Sequence, residues 1–382
     1  MSFFSKTAST IIRAVTVSTL LTATTNFVAD PYGAFGDKFI NMPNYSVKFN
    51  QKIPMTEYLD KNYGKFNTYV IGGSKAGSLF TSHTNEAFKK ENVKAYNFTN
   101  VGGVFYTYET SINYMIDNYK PKKIILHLST LDARNYKNKY ETINNRPHYL
   151  VEGSDPLDYY DTFLSLNLNL SINKLEIKNN QKEYEIFTKD GFQIEYGERR
   201  KPFLEEKIRE KGEEYYRAGS SPEIIPGIDM TNLDSLQRIV DKCKNNNVDL
   251  LVIAGPTSNK EFQKYERDKL KEYLIKMAEI TPYWNFTGYN DESWNNWNFI
   301  DMNHYRSEIG QMMLTKITEV QTGKVSYTDI PENFGVYVTP DNVNEEMERA
   351  FTKPAEIVAD ENKPESQRKY FNEMGFGINR WE

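Results

Sequence analysis

The chain is poor in the residues that most often announce a chemistry. One cysteine, Cys243, stands in 382 residues. That excludes an intrachain disulfide framework and a cysteine-built metal site. It fits either the cytoplasm or the exterior of a bacterium that keeps thiols out of its exported proteins. Only four histidines, His83, His127, His148 and His304, are available as general bases. No G-x-x-x-x-G-K-[ST] phosphate loop occurs, and no internal repeat. Neither sign of charge dominates: the net charge is −5, without the basic excess that non-specific nucleic-acid binding needs. What is abundant is aromatic, with 27 Tyr and 22 Phe. Tyrosine buries a ring while its hydroxyl finds a partner, so the excess can build a core or line a sugar groove.

Long apolar runs are scarce too. The nearest approach is Ile11 to Val28, rich in threonine, with Lys6 before it and Arg13 inside it. Residues 1–29 read as a signal peptide or signal anchor. That reading places the rest of the chain outside the cytoplasm, anchored to the membrane or secreted. An ordinary amphipathic helix is the alternative.

The body alternates strand and helix. Residues 30–135 hold a loop-rich start, then predicted strands Phe66 to Ile71, Val93 to Phe98 and Lys122 to Leu128. A helix is predicted over 104–119, where Phe105, Tyr108, Ile112, Met115, Ile116 and Tyr119 recur at helical spacing. Residues 136–226 break the rhythm and read as a capping insertion. It holds a hairpin around Tyr184–Tyr196, turning at Asp190-Gly191, and a charged helix from Pro202 to Tyr216. The rhythm returns over 227–325. A helix is striped by Leu233, Leu236, Ile239, Val240 and Cys243. A strand (Val248 to Ala254), a long helix (Asn259 to Ile280), a short strand (Tyr283 to Phe286) and a helix (Arg306 to Val320) follow. Residues 326–382 read as a charged tail that wraps the surface or is partly disordered. Strand–helix–strand spacing of this kind predicts an α/β domain with a mainly parallel sheet.

Two motifs stand out. In Tyr69-Val70-Ile71-Gly72-Gly73-Ser74, an apolar strand runs into two glycines and a serine. Ligand sites in open α/β sheets lie at the carboxyl ends of strands, and the N–H groups that open the next helix can hold an oxyanion. Ser74 is therefore a candidate nucleophile. Taken alone, the same turn also reads as a helix N-cap, the commoner case, or as a phosphate cradle. The second motif is Asp301-Met302-Asn303-His304-Tyr305. A serine hydroxyl needs a base, and a neutral imidazole needs a carboxylate to fix its tautomer. His304 alone of the four histidines combines a nearby Asp with a loop just before a helix. A plain helix start capped by Asp301 is the other reading.

With Ser74 on an early turn and Asp301-x-x-His304 late, the chain resembles the SGNH hydrolase superfamily. It is most similar to the SGNH-like proteins that act beside membrane-bound O-acyltransferases in bacterial envelope polysaccharide acetylation. Asn26-Phe27-Val28-Ala29-Asp30-Pro31-Tyr32-Gly33 after the apolar segment, Gly72-Gly73-Ser74-Lys75, Tyr96-Asn97-Phe98 followed by Gly102-Gly103, and Trp284-Asn285-Phe286-Thr287-Gly288-Tyr289 carry the likeness over about residues 20–320. The resemblance implies a three-layer α/β/α fold with a flavodoxin-like sheet. It implies Ser74, Asp301 and His304 as catalytic residues, and no cofactor or metal. The expected partners are a polysaccharide acceptor, a membrane-bound O-acyltransferase as donor, and the membrane through the N-terminus, without nucleic acid. Gly102 or Gly103, with the Ser74 N–H, would hold the oxyanion.

The sequence departs from the family where Gly73 replaces the usual Asp and Leu131 the usual oxyanion Asn. Loss of one such donor costs about 3 kcal/mol in serine enzymes, unless Asn135 substitutes. Asp132 and Arg134, after a strand end, are candidate substrate contacts, as are Trp294, Trp297 and Tyr305. The tryptophans either stack on sugar faces or form a packed loop lid. The expected function is an O-acyltransferase, of acetyl groups by the resemblance, on a surface polysaccharide. An O-acyl esterase with the same site, or a non-catalytic glycan-binding scaffold, are the alternatives; a phosphate-binding protein ranks last.

Overall fold

The computed structural model describes residues 3–36, 38–39, 52–134, 143, 146–179, 187–188, 191–192, 227–295, 298–299, 303–323, 330–355, 358–359 and 362. The chain divides into two compact units, residues 1–61 with 142–187, and residues 62–141 with 188–382.

The larger unit is the α/β body. Its strands are β1 (Thr68–Gly72), β2 (Ala95–Thr99), β3 (Lys123–Leu128), β4 (Phe187–Thr188), β5 (Gly191–Phe192), β6 (Asp249–Ala254), β7 (Tyr283–Asn285) and β8 (Val336–Val338). Six of them form the bulk of the sheet in the order β2-β1-β3-β6-β7-β8, and the two-residue β5 and β4 extend the β2 edge. β1, β2, β3, β6 and β7 run parallel, and β8 joins β7 antiparallel. Counted among themselves, the five long parallel strands follow the flavodoxin-like order 2-1-3-4-5, whose direction of winding reverses between β1 and β3. β1, β2 and β3 are buried at every residue. This is why β1 and β3 read as near-continuous apolar runs rather than alternating ones; β2 buries Asn97 and Thr99 as well.

Helices of this unit cover both faces of its sheet. In chain order the longer helices of the chain are α1 (Phe3–Ala29), α2 (Lys52–Asn62), α3 (Thr81–Ala87), α4 (Phe105–Tyr119), α5 (Pro156–Leu164), α6 (Leu168–Asn179), α7 (Asn232–Asn245), α8 (Arg267–Ile280), α9 (Ser307–Thr318) and α10 (Val343–Phe351), of which α1, α2, α5 and α6 belong to the smaller unit. α3 and α9 pack together on one face, where Val70, Ile125 and Ile253 share an apolar cluster with Ala87, Ile309, Met312 and Met313. Successive strand residues alternate faces, so Leu128 and Ala254 point the other way and meet Leu270, Leu274 and Met277 of α8. α4, α7, α8 and α10 form that second helical layer.

Three expectations change. The helix expected over 259–280 is interrupted at 263–266, leaving a short turn (Asn259–Phe262) and α8. Residues 330–351 belong to the fold rather than to a loose tail. β8 pairs with β7, and α10 buries Val343, Met347, Ala350 and Phe351. Asn285 Nδ2 donates to Glu346 Oε1 at 2.8 Å, and the Tyr289 N–H to the Ala350 carbonyl at 2.8 Å. The helical i, i+4, i+7, i+8 spacing of those apolar residues is hidden in the sequence by the surrounding charges. Lastly, the described start of the insertion packs with the N-terminal residues as a unit of its own. The charged helix expected over Pro202–Tyr216 lies outside the described residues, as do most residues of the hairpin.

In the smaller unit the last turn of α1 is locked to α5 and α6. Asn26 Nδ2 donates to the carbonyls of Leu164 (2.9 Å) and Leu166 (2.7 Å), and Ser171 Oγ donates to Asn26 Oδ1 (2.7 Å). Lys174 Nζ reaches the Asp30 carbonyl at 2.7 Å. Tyr32, Ala34, Ile53, Tyr159 and Phe163 form the core. A buried Arg146–Glu152 pair at 2.9 Å borders it, with the guanidinium 4.7 Å from the centre of the Tyr159 ring. Over Thr7–Ala29, last turn included, α1 is the one described helix long and apolar enough to cross a membrane.

His148 makes this unit acid-sensitive. Burial pushes its imidazole down to about 4, against the opposing pull of the Asp60 charge. Between about pH 4 and 6.5 the unfolded chain binds a proton that the folded unit excludes. Stability therefore rises with pH across that window, and about 3 kcal/mol is lost on acidification through it. His148→Asn keeps a side-chain acceptor for the Leu150 N–H but does not titrate. Urea denaturation at pH 4 and pH 7, followed by circular dichroism, should show a smaller pH difference for this variant than for the parent.

Candidate active site

β1 delivers the nucleophile candidate. Its last residue, Gly72, lies so close to β3 that a Cβ would collide with the His127 carbonyl and come within 2.9 Å of Ala76 Cβ. Gly73 is extended, and Ser74 opens a 3₁₀ turn, Ser74–Ser78, where a longer helix was expected. The turn lies at the carboxyl end of β1, beside the point where the strand order reverses, which is the usual ligand crevice of such sheets.

Asn97 fixes this turn from the neighbouring strand. Its Nδ2 donates to the carbonyls of Ala76 (2.9 Å) and Leu79 (3.0 Å), and its Oδ1 accepts from Thr99 Oγ1 at 2.6 Å. An Asn in the middle of a fully buried strand is the signal in the sequence that such a task exists.

The late motif is brought to the early one by packing. Tyr305 is buried in the same cluster as Val70 and Ile309, with its hydroxyl 3.0 Å from His127 Nε2. Ser78 Oγ donates to the Tyr305 carbonyl at 2.8 Å. Gly310 lets α9 approach, since a Cβ there would strike the Ser78 carbonyl. With both neighbours pinned, Ser74 Oγ and His304 Nε2 lie 2.7 Å apart. Both side chains are half-buried, so the pair is reachable from solvent. When the ring proton is on Nδ1, the hydroxyl donates to Nε2, which is the arrangement a general base needs. His127 is no competitor. Burial, then the charge of Lys75, pushes it down to about 3, leaving it neutral in the core.

Behind the serine lies a polar cluster. Tyr108 OH donates to Asp132 Oδ1 at 2.6 Å, and Asp132 Oδ2 accepts from the Ser129 N–H (2.6 Å) and Ser129 Oγ (2.9 Å). Burial raises the Asp132 carboxyl above the usual range, opposed by the bonds from Tyr108 and Ser129 and by the Lys75 charge. A Cβ on Gly73 would sit 3.0 Å from Tyr108 OH and 3.9 Å from Asp132 Oδ1.

The remaining expectations divide. Asp132 is 5% exposed and Tyr305 wholly buried, so both serve the scaffold and offer substrate nothing. The Gly103 N–H donates to the Asn100 carbonyl at 2.7 Å, which removes it as an oxyanion donor. Gly103 is a glycine because a Cβ would press on Tyr108 and Asn100. Gly102 stands at φ +62° and has an interaction of its own. Arg134 bridges to Ile228, and its carbonyl accepts from Asn232 Nδ2 at 3.1 Å. Trp294 is half-buried and stacks on Tyr289, with centroids 5.5 Å apart and planes at 15°, so one ring face is already covered. Asn135, Trp297 and Asp301 lie outside the described residues. Among the described residues no group of three or more metal-ligating side chains gathers. No protein-family model matches the chain, and no curated protein matches it.

Proposed function

We propose that this chain is an extracytoplasmic serine-dependent O-acyltransferase that moves an acyl group, acetyl by resemblance, onto a hydroxyl of a cell-surface polysaccharide. The observation that carries the reading is the 2.7 Å contact between Ser74 Oγ and His304 Nε2 at the sheet's switch point. His304 takes the Ser74 proton as Oγ attacks the acyl carbonyl. Charge on the carbonyl oxygen rests on the Ser74 N–H that opens the turn. As the bond to the donor's leaving group breaks, His304 returns the proton to that group. A sugar hydroxyl then gives its proton to His304 and attacks the acyl-serine. The acyl sugar leaves, and Oγ recovers its proton. Asp301, three residues before the base, is the residue assigned to hold the Nδ1–H.

One feature supports an anchored chain. The last turn of α1 is part of the smaller unit's hydrogen-bond framework, which favours a retained anchor over a cleaved signal peptide.

A fluorophosphonate should label the wild-type chain on the peptide that carries Ser74, and the Ser74→Ala variant should not be labelled. Absence of label, or label that survives the substitution, would defeat the proposal. With an activated acetyl ester and an oligosaccharide acceptor, transfer yields acetyl sugar. Free acetate as the sole product would assign the same site to an esterase.

A further inference from the structure

We propose that the smaller unit touches the lipid bilayer directly, through an aromatic collar of Phe27, Phe35 and Phe39 at the exit of α1. The collar is a built feature. Phe27, in the last turn of α1, meets Phe35 edge-on at 5.1 Å between centroids and Phe39 edge-on at 5.7 Å. Phe35 stacks in turn on Tyr160 of α5 at 5.4 Å. The turn that returns the chain to α1 is held by Asp30, whose Oδ2 accepts the Phe35 N–H at 2.9 Å. This cluster is nonetheless open to solvent: Phe39 is 60% exposed, Phe27 38%, and the adjacent Val28 41%. Apolar surface of this kind, held in a fixed shape and left uncovered, marks an interaction site.

The occupant follows from what the collar continues. Ile11, Ile12, Val15, Val17, Leu20 and Leu21 are all exposed, and at 100° per residue they face every side of the helix. A protein groove covers one stripe of a helix; a bilayer covers the whole circumference. At 1.5 Å per residue the 23-residue span is about 35 Å long, against about 30 Å of hydrocarbon. Its C-terminal end, and with it the collar, then falls at the outer boundary of the acyl chains. Aromatic side chains collect at that depth. Behind the collar, the Asn26 and Lys174 contacts tie α1 to α5 and α6, so the smaller unit is seated on the membrane rather than hung from a flexible tether.

The test is site-directed spin labelling of the full chain reconstituted in phosphatidylcholine vesicles. Burial pushes the Cys243 thiol up to about 12, which keeps it inert to a methanethiosulfonate reagent, so only an introduced cysteine is tagged. Leu20→Cys reports the span, Phe39→Cys the collar and Asn246→Cys the aqueous face of the larger unit. Accessibility to oxygen relative to a water-soluble nickel chelate should be several-fold higher at position 39 than at 246, though below that at 20. Position 39 behaving like 246 would overturn the collar, with position 20 in lipid or not; position 20 in water would also overturn the anchor. A second measurement needs no substitution. A phosphatidylcholine bearing a diazirine near the head group should leave adducts on the tryptic peptide Phe39–Lys48. On the preceding peptide, Ala14–Lys38, adducts confined to residues before Phe27, with none on Phe27, Phe35 or Phe39, would overturn the proposal.

Discussion

Replacing Ser74 with alanine should lower turnover by about a millionfold, and adding His304→Ala to that variant should cost almost nothing more. Each single loss in a serine–histidine pair removes about as much as losing the whole unit, near a millionfold in well-studied hydrolases. The reason here is geometric. The hydroxyl and Nε2 share one hydrogen bond, and either group without the other has no nucleophile to deliver. Neither substitution should unfold the chain. The turn is held by Asn97 and by the Ser78–Tyr305 contact, none of which uses the Ser74 side chain. Initial rates of acyl transfer, with the melting temperature as control, check both points. Effects that add, each contributing its own factor, would mean that the two side chains act in separate steps. An inert wild type would move the chain to the glycan-binding reading.

The site was legible in the sequence to the extent that its chemistry is local. Ser74 after two glycines and a strand, and His304 before a helix, are one-dimensional patterns. Their meeting is not, because it depends on Gly310 letting α9 down onto Ser78 and on Tyr305 filling the core. A glycine inside a helix and a tyrosine after a histidine have many ordinary explanations. The same limit misassigned Asp132. A carboxylate at the end of a strand is equally a ligand contact or a loop brace, and only the position of Tyr108, on a different helix, decides for the brace. β1, β3 and β6 were readable because burial in the middle of a parallel sheet leaves near-continuous apolar runs. β8 and α10 were not, since a half-exposed edge strand and an amphipathic helix with a charged outer face look like a charged tail. The smaller unit was missed for a further reason. Its core joins Tyr32 and Ile53 to Tyr159 and Phe163 across about a hundred residues, and no local periodicity reports such a pairing.

Gly73→Asp, which would supply the Asp of the SGNH pattern that the sequence resembles, should damage this protein rather than improve it. The space that an Asp side chain would take is bordered by Tyr108 OH, 3.0 Å from the would-be Cβ, and by Asp132 Oδ1 at 3.9 Å. Asp132 is already buried, and burial already raises its carboxyl. A second carboxylate about 4 Å away, in an effective dielectric of about 20, costs about 4 kcal/mol when both are ionised. Protonating one of them relieves the repulsion, so the folded state would hold a proton that the unfolded chain releases near pH 4. The sign follows: the variant loses stability as pH rises from the ordinary carboxylate range through the raised folded pKa, and comes closest to the parent in acid. Urea midpoints at pH 5 and pH 8 should therefore diverge more for the variant than for the parent. Gly73→Asp combined with Asp132→Asn removes one of the two charges and should recover most of the loss at pH 8. If Gly73→Asp alone matched the parent in stability at pH 8, the introduced carboxylate would lie clear of Asp132.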